Sequence, residues 1–313
     1  MHRQIAVSVS VVILLVAFPI AAKFADQLFY VSFASRILIY AIAAASLNLI
    51  LGYGGMVSFG HAAYLGVGAY TAGILMQQGM ANVWVGWPAA MLTAGLAAAL
   101  IGAICLRTRG VYFIMITLAF AQMMYYVAIS LRSYGGEDGF TLSRRSAVGL
   151  GLDLRGDATF YYVVLALWFS TTFLLHRLVH ARFGRVLEGI RENETRMQAI
   201  GFPTYRFKLI AFSISGAVAG LAGALLANQN LFVSPSLLHW SLSGTLMIMV
   251  ILGGAGHLYG PLLGAAVYLI LEETLSARTV YWQLGLGVVL LVVVLFARKG
   301  IAGLAARRRV ANG

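Results

Sequence analysis

The sequence predicts an all-α fold, a polytopic transmembrane helical bundle of about ten spans, with eight as the lower bound, and both termini cytoplasmic. Three observations predict it. Hydrophobic residues make up 61% of the 313-residue chain and charged residues 10%, with a mean hydropathy of +0.87, far outside the range of soluble domains. Two runs, Ile37 to Leu106 and Leu209 to Leu271, carry no Asp, Glu, Lys or Arg, and each must fold back on itself because one span needs only about 20 apolar residues. The charges lie between such runs, as expected when each costs about 2.5 to 3.5 kcal/mol at a helix centre.

Taken in order, Met1 to Arg3 followed by Ile5 to Ala22 gives a basic start and an apolar body, the pattern of either a signal peptide or a first span. Retention as a helix is expected, because the apolar run is long, Pro19 interrupts its end and AAKFA lacks a good cleavage pattern. A polar linker with Lys23, Asp26 and Arg36 follows. Spans are then expected at about Ile37–Tyr53, Gly55–Gln77, Val85–Leu106 and Val111–Leu131. Residues Arg132 to Asp157, with the turn-rich GGEDG at Gly135 to Gly139, read as an external loop. The remaining spans are expected at Phe160–Val179, Lys208–Asn228, His239–Gly256, Leu258–Leu271 or a little further, and Val280–Ala297. The Gly-rich links at Gly52–Gly60 and Gly253–Gly264 read as turns or as re-entrant half-helices.

Charge asymmetry orients this arrangement. With the amino terminus inside, 15 of the 22 basic residues fall on the inner face, and so does all of the net charge of +12. The positive-inside rule counts Lys and Arg, and this division supports an even number of spans with both ends inside. The basic balance is thereby explained by orientation, with no nucleic-acid partner implied.

Between the fifth and sixth of the spans that follow the linker lies a charged stretch, Gly184 to Pro203, GRVLEGIRENETRMQAIGFP. Val186, Ile190, Met197 and Ile200 recur at roughly helical spacing, while Arg185, Glu188, Arg191, Glu192, Glu194 and Arg196 cover the rest. Gly201 can take a left-handed cap and Pro203 cannot continue a helix, so one discrete cytoplasmic helix is expected to end there. Two readings stand: a solvated helix resting on its own protein, or a docking surface for a groove on another protein.

Small residues crowd the span interiors. The Gly216/Gly220 pair is a GxxxG, expected to pack helices within this chain rather than to form a dimer seam. Polar residues in the first uncharged run are few, Asn48, Ser58, His61, Tyr64 and Thr71, and in hydrocarbon such groups need partners. Asn48, Ser58, His61 and Tyr64 are therefore candidates for a translocation path, with a purely hydrogen-bonded structural role as the alternative for His61. Glu272 and Glu273 fall at the outer end of a span. The single Cys105 excludes an internal disulfide, no His/Cys cluster suggests a metal, and no paired carboxylates or Ser/His/Asp set suggest catalysis. No GxxxxGK[ST] loop is present, so the chain is expected to hold no nucleotide cofactor, and energy for transport must come from a gradient or a partner.

Five blocks in order, GYGGMVSFGHAAYLGVGAYTA (Gly52 to Ala72), GVYFIMITLAFAQM (Gly110 to Met123), GGEDGF (Gly135 to Phe140), the stretch from Gly184 to Leu225, and VILGGAGHLYGPLLGA (Val250 to Ala265), resemble the LivM-type permeases, membrane subunits of branched-chain amino acid ABC importers. The resemblance implies one transmembrane permease domain over 1–313, with a cytoplasmic coupling-helix loop at about 180–207. It implies that Arg185 to Gly201 seats in a cleft of an ATPase subunit. Glu194, Ala199 and Gly201 look like the E, A and G positions of the family, with Glu188, Arg191 and Met197 completing the coupling set; Arg196 and Met197 depart from the small residues of many relatives. It further implies a LivH-type permease partner, two ATP-binding subunits, a periplasmic substrate-binding protein and a bacterial inner-membrane location. The expected cargo is a branched-chain amino acid carried inward by alternating access. Urea or a short amide, carried by close relatives, is the alternative cargo. A gradient-driven carrier or channel is the alternative class, and it predicts an acid or base deep in a span.

Overall fold

The computed structural model describes residues 18–19, 28–148, 154, 156–296 and 300–301. Apart from Phe18 and Pro19, the expected first span lies outside the described residues; the Phe18 ring lies 6.4 Å from that of Tyr161. From Leu28 the helices are α1 (Leu28–Asn48), α2 (His61–Gln77), α3 (Val83–Cys105), α4 (Val111–Ser130), α5 (Asp157–His180), α6 (Arg182–Glu192), α7 (Glu194–Ala199), α8 (Thr204–Asn230), α9 (Trp240–Gly253), α10 (Gly260–Ser276) and α11 (Trp282–Phe296). Five helical stretches, Phe29–Tyr53, Val83–Cys105, Val111–Ser130, Asp157–His180 and Thr204–Asn230, are long and apolar enough to cross a membrane. Together with the apolar α9 and α11, they make this a multi-pass membrane protein.

Two boundaries differ from expectation for visible reasons. Helix α1 starts nine residues before Ile37 and carries Arg36 on its flank, where its guanidinium lies 5.9 Å from the centroid of the Tyr40 ring. A long stem with a ring to rest on lets a charge sit within an apolar helix. Helix α2 starts at His61 rather than Gly55. A π-helical turn, Leu49–Tyr53, ends α1, and the chain from Gly54 to Gly60 is non-helical although mostly buried. Three of its backbone donors find partners: Met56 N donates to Ile50 O at 2.8 Å, Gly60 N to Ser58 Oγ at 3.2 Å, and Phe59 N to Thr117 Oγ1 on α4 at 3.2 Å. Irregular backbone inside a bundle is tolerated only on such terms.

The core is built around α8, which is buried along most of its length against α2 and α3. A Cβ on Gly216 would run into the Ala98 side chain, and one on Gly220 into that of Ala94. The GxxxG therefore lets α3 approach α8 within the same chain.

At one end of the bundle, β1 (Phe140–Thr141) pairs antiparallel with β2 (Phe232–Val233). This small pair, not expected in an all-α chain, ties the GGEDG loop to the end of α8. Arg145 reinforces it, donating to Asn228 O at 3.2 Å and pairing with Asp157 at 2.7 Å. The other end gathers α6, α7, the α3–α4 turn and both Gly-rich links.

Candidate functional site

The charged stretch forms two helices rather than the single one expected. Asn193 breaks it, at φ −156 and ψ 96, and its Oδ1 accepts from Arg196 N at 2.9 Å, capping α7. An Asn whose side chain satisfies the amide three residues on is a helix start, a signal present in the sequence as N-E-T-R. The stop at Gly201 is as expected. Gly201 has φ +90, its N–H donates to Gln198 O at 2.9 Å and Phe202 N to Met197 O at 3.0 Å, the paired bonds of a Schellman cap.

The faces also differ from the expected pattern. Gly184, Leu187 and Ile190 are the buried positions of α6, Val186 is half-buried, and Ile200 stands 63% exposed. The break at Asn193 resets the helical phase, so periodicity read across it fails. The coupling set accordingly divides. Ala199 and Gly201 face outward with Ile200, and a Cβ on Gly201 would meet open space. Glu188 is half-buried on α6. Met197 lies back over α6, its Sδ 2.9 Å from where a Cβ on Gly189 would be.

Glu194 turns inward. Its Oε1 accepts from Lys208 Nζ at 2.5 Å and Thr204 Oγ1 at 3.2 Å, and its Oε2 lies 3.4 Å from Arg109 Nε. Gln198 Nε2 adds a bond to Thr204 Oγ1 at 3.0 Å. One carboxylate thus fastens α7 to the foot of α8 and to the α3–α4 turn. Lys208, Thr204 and Arg109 are residues that sequence reasoning missed as site members; Glu194 and Lys208 are fourteen positions apart with a break between them, so no helical spacing announces the pair. Arg191 also turns toward the bundle, donating to the Gly52 carbonyl at the end of the π turn.

The four path candidates are all buried, each at most 3% exposed. Asn48 Nδ2 donates to His257 O at 3.1 Å and its Oδ1 accepts from Gly256 N at 2.9 Å, joining the two Gly-rich links. His61 Nε2 lies 2.8 Å from Ser46 Oγ and 3.4 Å from Ser215 Oγ, and its ring meets that of Tyr64 edge-on at 5.8 Å. Tyr64 in turn stands edge-on to Phe212 at 5.6 Å. His61 and Tyr64 are therefore brought together between α1 and α8, while Asn48 belongs to the link crossing. Ser58 bonds locally and does not join either group. Among the described residues, no cluster of three or more His, Cys, Asp or Glu is arranged to hold a metal.

Residues 29–296 match the family model for the permease component of branched-chain amino acid transport systems. The chain is 29% identical over 294 residues to the high-affinity branched-chain amino acid transport system permease protein LivM of Escherichia coli strain K12, covering 87% of this chain and 69% of that protein. It is 26% identical to a probable LivM permease of Methanocaldococcus jannaschii, over 80% of this chain and 82% of that protein. A probable LivH permease of the same archaeon is 27% identical over 45% of this chain and 46% of its own length. No solved structure matches the chain.

Proposed function

Because the chain belongs to the family of permease components of branched-chain amino acid transport systems, we propose that it is the membrane-spanning subunit of an ABC importer that carries branched-chain amino acids inward. The whole chain forms one permease domain of about ten spans with both termini inside, in the inner membrane of a bacterium. It binds no nucleotide itself. Two ATP-binding subunits supply hydrolysis, a LivH-type permease completes the path, and a periplasmic binding protein delivers the substrate.

The observation that carries this reading is the tip of α7. Ile200, 63% exposed, projects beside the open Gly201 at the end of a short helix whose other side is fixed to the bundle through Glu194. An apolar knob on a rigid, charged surround suits insertion into a cleft of a partner. The Arg-rich surroundings, including Arg107, Arg109, Arg182, Arg185 and Arg206, match the excess of basic residues on the inner side of membrane proteins. Purification in mild detergent from the native membrane tests it. The wild-type chain is expected to bring down an ATPase and a second permease, and Ile200→Asp to lose the ATPase while keeping the permease. A wild-type chain that comes down alone overturns the reading.

A further inference from the structure

Two Gly-rich links join consecutive spans at the same end of the bundle, and one side chain of the α6–α7 pair lies against both. The first lies between α1 and α2 and includes Gly55 at φ +67; the second lies between α9 and α10 and includes Gly254 at φ +109 and Gly256 at φ +79. Arg191, on the last turn of α6, donates through Nη1 to the Gly52 carbonyl. Its Cγ lies 2.6 Å from where a Cβ on Gly55 would sit, and its Nη1 lies 3.7 Å from the corresponding position at Gly256. A Cβ at Gly55 would collide with the Arg191 stem, whereas one at Gly256 would only come into van der Waals contact with the guanidinium. Asn48 fastens the same two links to each other.

We propose that Arg191 is a positioning residue, the strut through which displacement of the α6–α7 pair reaches both Gly-rich links. The inference rests on the importer reading for what moves the helix pair, and on contact geometry for where the motion goes. Glu194 joins α7 to α8, an unbroken helix of 27 residues, and such a joint moves the pair and the helix as one body. Arg191 joins α6 to segments with no continuous hydrogen-bond ladder, where a few backbone torsions can absorb a displacement. The Gly52 carbonyl is one of the acceptors a helix end leaves free, and a cation there is favoured by the helix dipole. The guanidinium is planar and has several donors, so it can hold that carbonyl while its stem packs against Gly55.

The test uses the complete transporter in proteoliposomes, with ATP hydrolysis and amino-acid uptake measured together. Arg191→Ala is expected to retain the ATPase subunits and to hydrolyse ATP, while amino acid moved per ATP falls about tenfold, as the loss of one charged hydrogen bond allows. Arg191→Lys, which keeps a cation but loses the fork, is expected to recover part of it. An unchanged ratio in Arg191→Ala overturns the proposal. So does loss of uptake in proportion to lost ATPase, because Arg191 would then be a docking contact.

A second measurement needs no partner. In the isolated chain carrying Cys105→Ser and Met56→Cys, position 56 is 8% exposed in the first link, and maleimide labelling reports how often that link opens. Adding Arg191→Ala is expected to raise the labelling rate about tenfold; an unchanged rate overturns the strut. If the importer reading fails instead, wild-type uptake shows no ATP dependence while the labelling difference persists.

Discussion

Lys208 Nζ donates to Glu194 Oε1 across 2.5 Å, joining the start of α7 to the first turns of α8. The two side chains are only 9% and 19% exposed, and Thr204 and Arg109 share the same carboxylate. The family resemblance implies a docking position for Glu194; the bond gives it a different task, that of holding the tip proposed to dock still. A tip that swivelled would lose the order it needs before a partner arrives.

Glu194→Gln is expected to leave Lys208 with an uncompensated charge and to destabilise the chain by about 2 kcal/mol. Lys208→Met removes the same bond from the other side. If the pair acts as a unit, the double variant is expected to be less destabilised than the sum of the singles by about 1 to 2 kcal/mol. Thermal melts of the purified chain in detergent check the cycle.

Asn48→Leu keeps the approximate volume but strands the Gly256 N–H and the His257 carbonyl. The expected cost is about 2 to 3 kcal/mol, concentrated at the crossing of the two links. Hydrogen exchange at residues 254–259 is the sensitive readout, with faster exchange expected there and little change in α3 or α8.

Gly220→Val forces a branched side chain into the Ala94 contact. Overpacking at a helix crossing typically costs about 1 to 3 kcal/mol, so a lower melting temperature and a lower yield of folded protein are expected. Gly287→Val, where a Cβ would meet open space in α11, serves as the control and is expected to change stability by less than about 0.5 kcal/mol.

Most helices were legible in the sequence because apolar length is a local property, and α3, α4, α5 and α11 fall within a few residues of expectation. The shortfalls arise where long-range partners override local signals. Arg36 reads as linker until Tyr40 is seen beneath it. Gly55 to Gly60 reads equally as the start of a span and as a Gly-rich turn until Thr117 on α4 is seen to supply a partner to Phe59 N. At the site, the Gly201 stop is readable from chain chemistry, and the Asn193 break carries a local capping pattern that helical periodicity alone does not register. The inward turn of Glu194 and Arg191 was not readable at all, since both partners come from other elements. His61 gave a correct signal of burial, and its actual neighbours, Ser46 and Ser215, lie 15 and 154 positions away.

ATP-dependent uptake of a labelled branched-chain amino acid tests the central claim most directly. The wild-type chain is co-reconstituted with its co-purifying ATPase, permease and binding protein, and ATP is enclosed on the α6–α7 side. Uptake is expected to require ATP, to be competed by leucine and not by urea, and to vanish in Ile200→Asp although that variant folds. Uptake that proceeds equally without ATP, or that survives Ile200→Asp undiminished, contradicts the account.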